Sequence, residues 1–144
     1  MDSTLWLDAA EVAMDKEFHG TYDIWGGDLD PAAVEVARHN AALAGVDDCV
    51  RFEVADATKF HRDSEYGQLV TNPPYGERLL EKDEVAELYR NFGAAMKDMP
   101  PKWRILVLSS NAKFEEFYGR GADKKRKLYN GMLKCDAYMF GFSK

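Results

Sequence analysis

The sequence predicts an α/β protein, a doubly wound sheet finished by an antiparallel hairpin. Three observations carry that reading. Short apolar runs alternate with stretches of helical periodicity, the strand, helix, strand beat from which parallel sheets are built. Asp30-Pro31 supplies a helix cap and a first-turn proline, and Gly45 a helix stop. Near the carboxyl end, two alternating runs flank Asn130-Gly131, a favoured hairpin turn.

In chain order, Leu5, Trp6, Ala9, Ala10 and Ala13 recur at helical spacing and predict an amphipathic helix over 5–16. Residues 21–25 read as a short buried strand ending at Gly26-Gly27. A helix over 31–44 follows, with Val34, Ala37 and Ala41 on one face. Residues 50–55 alternate as a strand, 56–62 are a loop or short helical turn, and 67–71 form the next strand. Val85, Leu88, Tyr89, Phe92 and Met96 mark a helix over 83–97, closed by Pro100-Pro101. Then come a strand over 104–109, a short helix over 112–118, and paired strands over 125–129 and 132–142. There is no repeat, linker or low-complexity tract, so the chain reads as a single domain, 1–144.

Composition narrows the function classes. With 144 residues and 46% hydrophobic content the chain can bury a real core. Cys49 and Cys135 match no metal or redox spacing and read as free thiols in a reducing compartment. His19, His39 and His61 are as scattered, and no metal site is expected. No apolar stretch reaches the length of a membrane span and the first residues carry acid, so a cytoplasmic protein is expected. A formal charge of −6 argues against strong autonomous binding to nucleic acid. The one basic run, Lys124-Lys125-Arg126-Lys127, reads equally as a solvated face or a local contact for a polyanion.

The chemistry concentrates at Asn72-Pro73-Pro74-Tyr75, where the apolar run Leu69-Val70 ends. Each proline locks its own φ and disfavours helix before it, so the segment leaves the strand stiff and extended. The exocyclic amine of a nucleobase is a poor nucleophile and must be held and polarised. The Asn72 side-chain oxygen and the Pro73 carbonyl could each accept one amine hydrogen while Tyr75 stacks on the base, an arrangement suited to methylating a flipped-out base. The plain alternative is a rigid surface turn. Asp28 and Asp56 likewise fall at or just beyond strand ends, where ligands sit in such sheets. Asp28 could bind ribose hydroxyls and Asp56 an adenine amine; either could instead cap a turn. Asp30 reads as the helix cap.

These residues resemble the S-adenosylmethionine-dependent RNA methyltransferases that carry a THUMP RNA-binding domain, in particular the bacterial 23S rRNA guanine-N2 group. The likeness covers most of the chain. It rests on Gly27-Asp28-Leu29-Asp30-Pro31, on Ala37-Arg38-His39-Asn40-Ala41 with Ala44-Gly45-Val46, on Asn72 to Tyr75 extended by Gly76-Glu77-Arg78, and on Ala122-Asp123 through the basic run to Leu128-Tyr129-Asn130-Gly131. It implies a Rossmann-like class I methyltransferase sheet in which Asp28 holds the cofactor ribose, Asp56 its adenine, and Asn72, Pro73 and Tyr75 the target base. Asn72, as part of that motif, also borders the cofactor. Arg78 would pair with an acid or an RNA phosphate, and Lys124, Lys125, Arg126 and Lys127 would serve RNA. The implied reaction moves a methyl from the sulfonium to a guanine amine, with Asn72 a hydrogen-bond acceptor rather than a base.

The family begins this domain with a strand and a Gly-rich loop that cradles the methionine part of the cofactor, and no such element precedes Asp28. The chain therefore reads as the carboxyl-terminal part of a longer methyltransferase, inactive by itself. The strand so missing lies mid-sheet in the family. The strands around Ile24 and Val70 are expected either to pair directly or to find pairing on a second chain, giving self-association. Three competing readings stand beside this one. A non-catalytic RNA-binding or assembly module would keep the fold, and a nicotinamide dehydrogenase would use Gly26-Gly27 and Asp28 but lacks Gly-x-Gly-x-x-Gly. DNA adenine or cytosine methylation would use the same tetrapeptide.

Overall fold

The computed structural model describes residues 23–75 and 82–142. The helix expected over 5–16 and the residues Gly76, Glu77 and Arg78 lie outside them. The chain divides into two compact units, Met1–Val54 and Ala55–Lys144.

In the first unit, β1 (Ile24–Asp28), α1 (Pro31–Leu43) and β2 (Val50–Val54) form a parallel βαβ unit. The Asp30 side chain accepts from the Ala32 N–H at 2.9 Å and Pro31 opens the helix, as expected of that dipeptide. Val34 and Ala41 are buried and Ala37 half-buried, so one face carries the helix onto its strands. Gly45, at φ +73°, ends it.

One boundary differs from the sequence reading. Gly26-Gly27 does not end the first strand but lies inside it, and the strand runs on to Asp28. The reason is a close approach: Gly26 pairs with Phe52, and a Cβ at Gly26 would meet the Phe52 ring at 2.8 Å. Glycine here makes room for a neighbouring ring rather than for a turn.

The second unit opens with a 3-10 turn, Ala57–Lys59, and then builds a four-stranded sheet in the order β3-β4-β6-β5. β3 (Tyr66–Thr71) and β4 (Lys102–Ser109) are parallel, connected by α2 (Lys82–Lys97). After α3 (Phe114–Tyr118), β5 (Lys124–Asn130) and β6 (Leu133–Phe140) return antiparallel, with β6 against β4 and β5 at the edge. Asn130 pairs with Leu133, so the two-residue turn is Gly131-Met132, one residue later than an Asn-Gly centre would place it. Gly131, at φ +66°, is the first central residue, the pattern of a type II′ turn.

The core of this unit lies where α2 and α3 cover β4 and β6. Tyr89, Phe92 and Met96 of α2 are buried, Leu88 is half-buried, and Ile105, Val107 and Ser109 alternate on the covered face of β4. Phe114 is fully buried at its centre, within 4.9 Å of the Tyr89 ring and 4.7 Å of the Tyr138 ring between centroids. Such offset and edge-on aromatic pairs each contribute about 1 kcal/mol beyond area burial.

Among the described residues β1 has one ladder, to β2, and β3 has one, to β4. Each is satisfied along one edge through a βαβ crossover, the connection that brings successive parallel strands side by side.

Candidate functional site

Each residue singled out at a strand end is found at one. Asp28 is the last residue of β1, Asp56 stands two residues past β2, and Asn72 directly follows β3. Asp28 belongs to the first compact unit and Asp56, Asn72 and Tyr75 to the second.

The two aspartates cap turns. The Asp28 Oδ1 accepts from the Asp30 N–H at 2.9 Å, and the Asp56 Oδ1 accepts from the Thr58 N–H at 2.9 Å and hydroxyl at 2.6 Å. The Thr58 hydroxyl, then its N–H, holds the Asp56 carboxyl below its ordinary range, so it is ionised at neutral pH. Both caps use a single carboxylate oxygen. Capping is therefore compatible with a further role for the other oxygen, and the ionised Asp56 carboxylate is suited to accept from an amine.

At the tetrapeptide, the Tyr75 hydroxyl donates to the Asn72 Oδ1 at 2.5 Å. The backbone beneath is held from two sides. The Tyr89 hydroxyl, on α2, donates to the Pro74 carbonyl at 2.5 Å and lies 3.0 Å from the Ser109 Oγ. The Asn111 N–H donates to that same Oγ at 3.1 Å, while the Asn111 Nδ2 donates to the Tyr75 carbonyl at 3.0 Å. Asn111 is itself fixed: its Oδ1 accepts from the Lys113 N–H at 2.9 Å and its carbonyl from the Tyr138 hydroxyl at 3.2 Å. Tyr89 and Ser109 are buried, at 1% and 0% exposure, and burial raises the Tyr89 hydroxyl pKa, so it remains a donor.

The Pro73 carbonyl makes no hydrogen bond to a described residue. Tyr75 also lines a hollow of about 960 Å³, with Ala86, Asn111, Lys113 and Phe117 among its walls. Sequence reasoning missed Tyr89, Ser109 and Asn111 as site residues. Tyr89 looked like one more apolar position of α2, and the only signal for the other two was a polar Ser109-Ser110-Asn111 where β4 ends.

The basic run is β5, an exposed edge strand. Strand alternation divides it, with Lys124 and Arg126 on one face and Lys125 and Lys127 on the other. Lys125 forms an ion pair with Glu115 at 2.8 Å and lies 5.9 Å from the centroid of the Tyr138 ring. Lys124, Arg126 and Lys127 have no ion-pair partner among the described residues. Arg78 lies outside the described residues.

Comparison with known proteins bears on the family and the fold. The chain is 40% identical over 137 residues to YpsC of Bacillus subtilis, a candidate RNA methyltransferase, covering 94% of this chain and 35% of that protein. It is 39% identical over 146 residues to the ribosomal RNA large subunit methyltransferase K/L of Hahella chejuensis, covering 96% of this chain and 20% of the relative. SMU.472, a candidate methyltransferase crystallised with S-adenosylhomocysteine, superposes with a TM-score of 0.89 at 37% identity. The match covers all of this chain and 38% of that one. The chain thus spans about a third or less of the curated relatives it matches, and it has the mixed α/β fold of methyltransferases that use S-adenosylmethionine. Residues 5–139 match the RMKL-like methyltransferase domain. With the strand-end motif, the sheet and the relatives in agreement, the chain belongs to the RMKL-like methyltransferase family.

Proposed function

We propose that this chain is part of the catalytic domain of an S-adenosylmethionine-dependent RNA methyltransferase acting on the exocyclic N2 of guanine in 23S rRNA. The observation that carries the proposal is the Asn72-Pro73-Pro74-Tyr75 segment, placed at a strand end with its backbone anchored from below. The relatives named for ribosomal RNA methylation support the substrate class.

S-adenosylmethionine, when bound, supplies a methyl group on a sulfonium. Asp28 would receive its ribose hydroxyls and Asp56 its adenine amine, each through the carboxylate oxygen not used in capping. Asn72 Oδ1 and the Pro73 carbonyl accept the two hydrogens of the guanine amine and orient its nitrogen. Positive charge developing on that nitrogen during methyl transfer would be stabilised by the two acceptors. The excess proton leaves to water, since an amide is no base. Tyr75 stacks on the base, while Lys124, Lys125, Arg126 and Lys127 attract the RNA backbone, with Lys125 the least free of the four.

A cytoplasmic location and an RNA partner go with this reading. Self-association is a further part of it: β3 has one strand neighbour among the described residues, and its Tyr66 and Val70 are 65% and 72% exposed. The deciding experiment is mass spectrometry of 23S rRNA nucleosides after deletion of the intact gene. Loss of one N2-methylguanosine is expected. Unchanged methylation would favour a non-catalytic RNA-binding module, and loss of a methylated adenine or cytosine would correct the target base.

A further inference from the structure

We infer that Tyr89, Ser109 and Asn111 are positioning residues for methyl transfer, which set the place of the Tyr75 ring by clamping the carbonyls on both sides of its α-carbon. This rests on the proposed function and goes beyond it, since none of the three belongs to the tetrapeptide.

The donor order of the network follows from atom inventory. A carbonyl only accepts, so the single Tyr89 hydrogen goes to the Pro74 oxygen. The contact between Tyr89 and Ser109 must then have Ser109 as donor. A Ser109 lone pair is left for the Asn111 N–H, which is where that N–H points. One directional chain results, from the Asn111 N–H through Ser109 and Tyr89 to the Pro74 carbonyl, and hydrogen bonds so ordered polarise one another. A second branch leaves Asn111 by its Nδ2 and ends on the Tyr75 carbonyl.

The two branches meet the chain at neighbouring peptide groups. The Pro74 carbonyl precedes the Tyr75 α-carbon and the Tyr75 carbonyl follows it, so both peptide planes that determine the direction of the side chain are held. The donors arrive from different elements, α2 and the end of β4, so the clamp transmits the packing of the core to the ring. Water cannot readily replace either hydroxyl, because Tyr89 and Ser109 are buried. A group lost there leaves its partner unsatisfied. In methyl transfer a displacement of about 1 Å costs on the order of a hundredfold in rate.

A purely structural role predicts something different, and a double-mutant cycle separates the two. In the intact protein that contains this chain, Tyr89→Phe should lower single-turnover methylation of RNA by roughly tenfold to a hundredfold, leaving the KM for S-adenosylmethionine unchanged. In a Tyr75→Ala background the same substitution should cost less than about twofold, because the ring it positions is gone. An equal loss in both backgrounds, or no loss in the first, overturns the inference. A second readout is independent of catalysis. In this chain labelled with 3-fluorotyrosine, the ¹⁹F resonance of Tyr75, assigned by its disappearance in Tyr75→Phe, should shift and broaden in Tyr89→Phe and in Asn111→Ala. An unchanged resonance overturns the clamp. An intact protein that methylates no RNA overturns the proposed function instead, and the resonance still decides the clamp.

Discussion

The Tyr75 hydroxyl donates to the Asn72 side-chain oxygen across 2.5 Å, so the acceptor proposed for the target amine is already held by a residue three positions on. An amide oxygen has two lone pairs. One is taken by Tyr75, which thereby determines that oxygen rather than nitrogen is presented in this direction; the other is left for the substrate. Tyr75→Phe keeps the ring and removes the grip. It should lower turnover by about tenfold, the worth of one hydrogen bond, with little change in RNA affinity. Tyr75→Ala should also raise the KM for RNA. Steady-state kinetics of the intact protein check both, and wild-type turnover in the Phe variant would remove the hydroxyl from the account.

Asn72→Ala should lower turnover by roughly a hundredfold or more and leave cofactor affinity nearly unchanged, because an acceptor aimed at developing charge acts mainly in the transition state. Single-turnover rates together with cofactor titration calorimetry test this. Near-normal turnover would defeat the assignment.

The basic strand should not act as four equivalent charges. Since Lys125 is committed to Glu115, Lys125→Ala alone should change RNA affinity by less than twofold. Replacing Lys124, Arg126 and Lys127 together by Ala should weaken binding and flatten the slope of log affinity against log salt by about 2, if each contacts a single-stranded phosphate. An unchanged slope would return β5 to a solvated face.

Burial pushes the hydroxyls of Tyr118 and Tyr138 up to about 12, from the ordinary tyrosine value of about 10. For a group raised in the folded state, its stabilisation is fully present below the unfolded pKa and is lost as pH climbs through the folded one. The urea midpoint should accordingly hold below pH ~10 and fall between about 10 and 12. Tyr118→Phe should make that fall shallower. A midpoint independent of pH across this window would mean that these phenols ionise as readily folded as unfolded.

Much of this protein could be read from local signals. Asp30-Pro31 starts α1 and Gly45 ends it because capping and positive φ are properties of a few consecutive residues. The apolar spacing of α2 and the alternation of β4 and β6 show which faces are buried, since periodicity is a one-dimensional record of burial. The tetrapeptide was legible for the same reason, its stiffness being written into two adjacent prolines. What only the tertiary structure decided involves partners distant in sequence. Gly26 belongs inside a strand because Phe52 lies across from it. Lys125 differs from its neighbours because α3 brings Glu115 to it. The clamp on Tyr75 joins residues 15 and 36 positions apart, and no local pattern distinguishes a tyrosine that fills a core from one that fills a core and aims its hydroxyl at a carbonyl. That aim is determined by how α2 packs on the sheet, because a hydrogen bond needs both atoms placed to within a few tenths of an ångström, and periodicity specifies only a face.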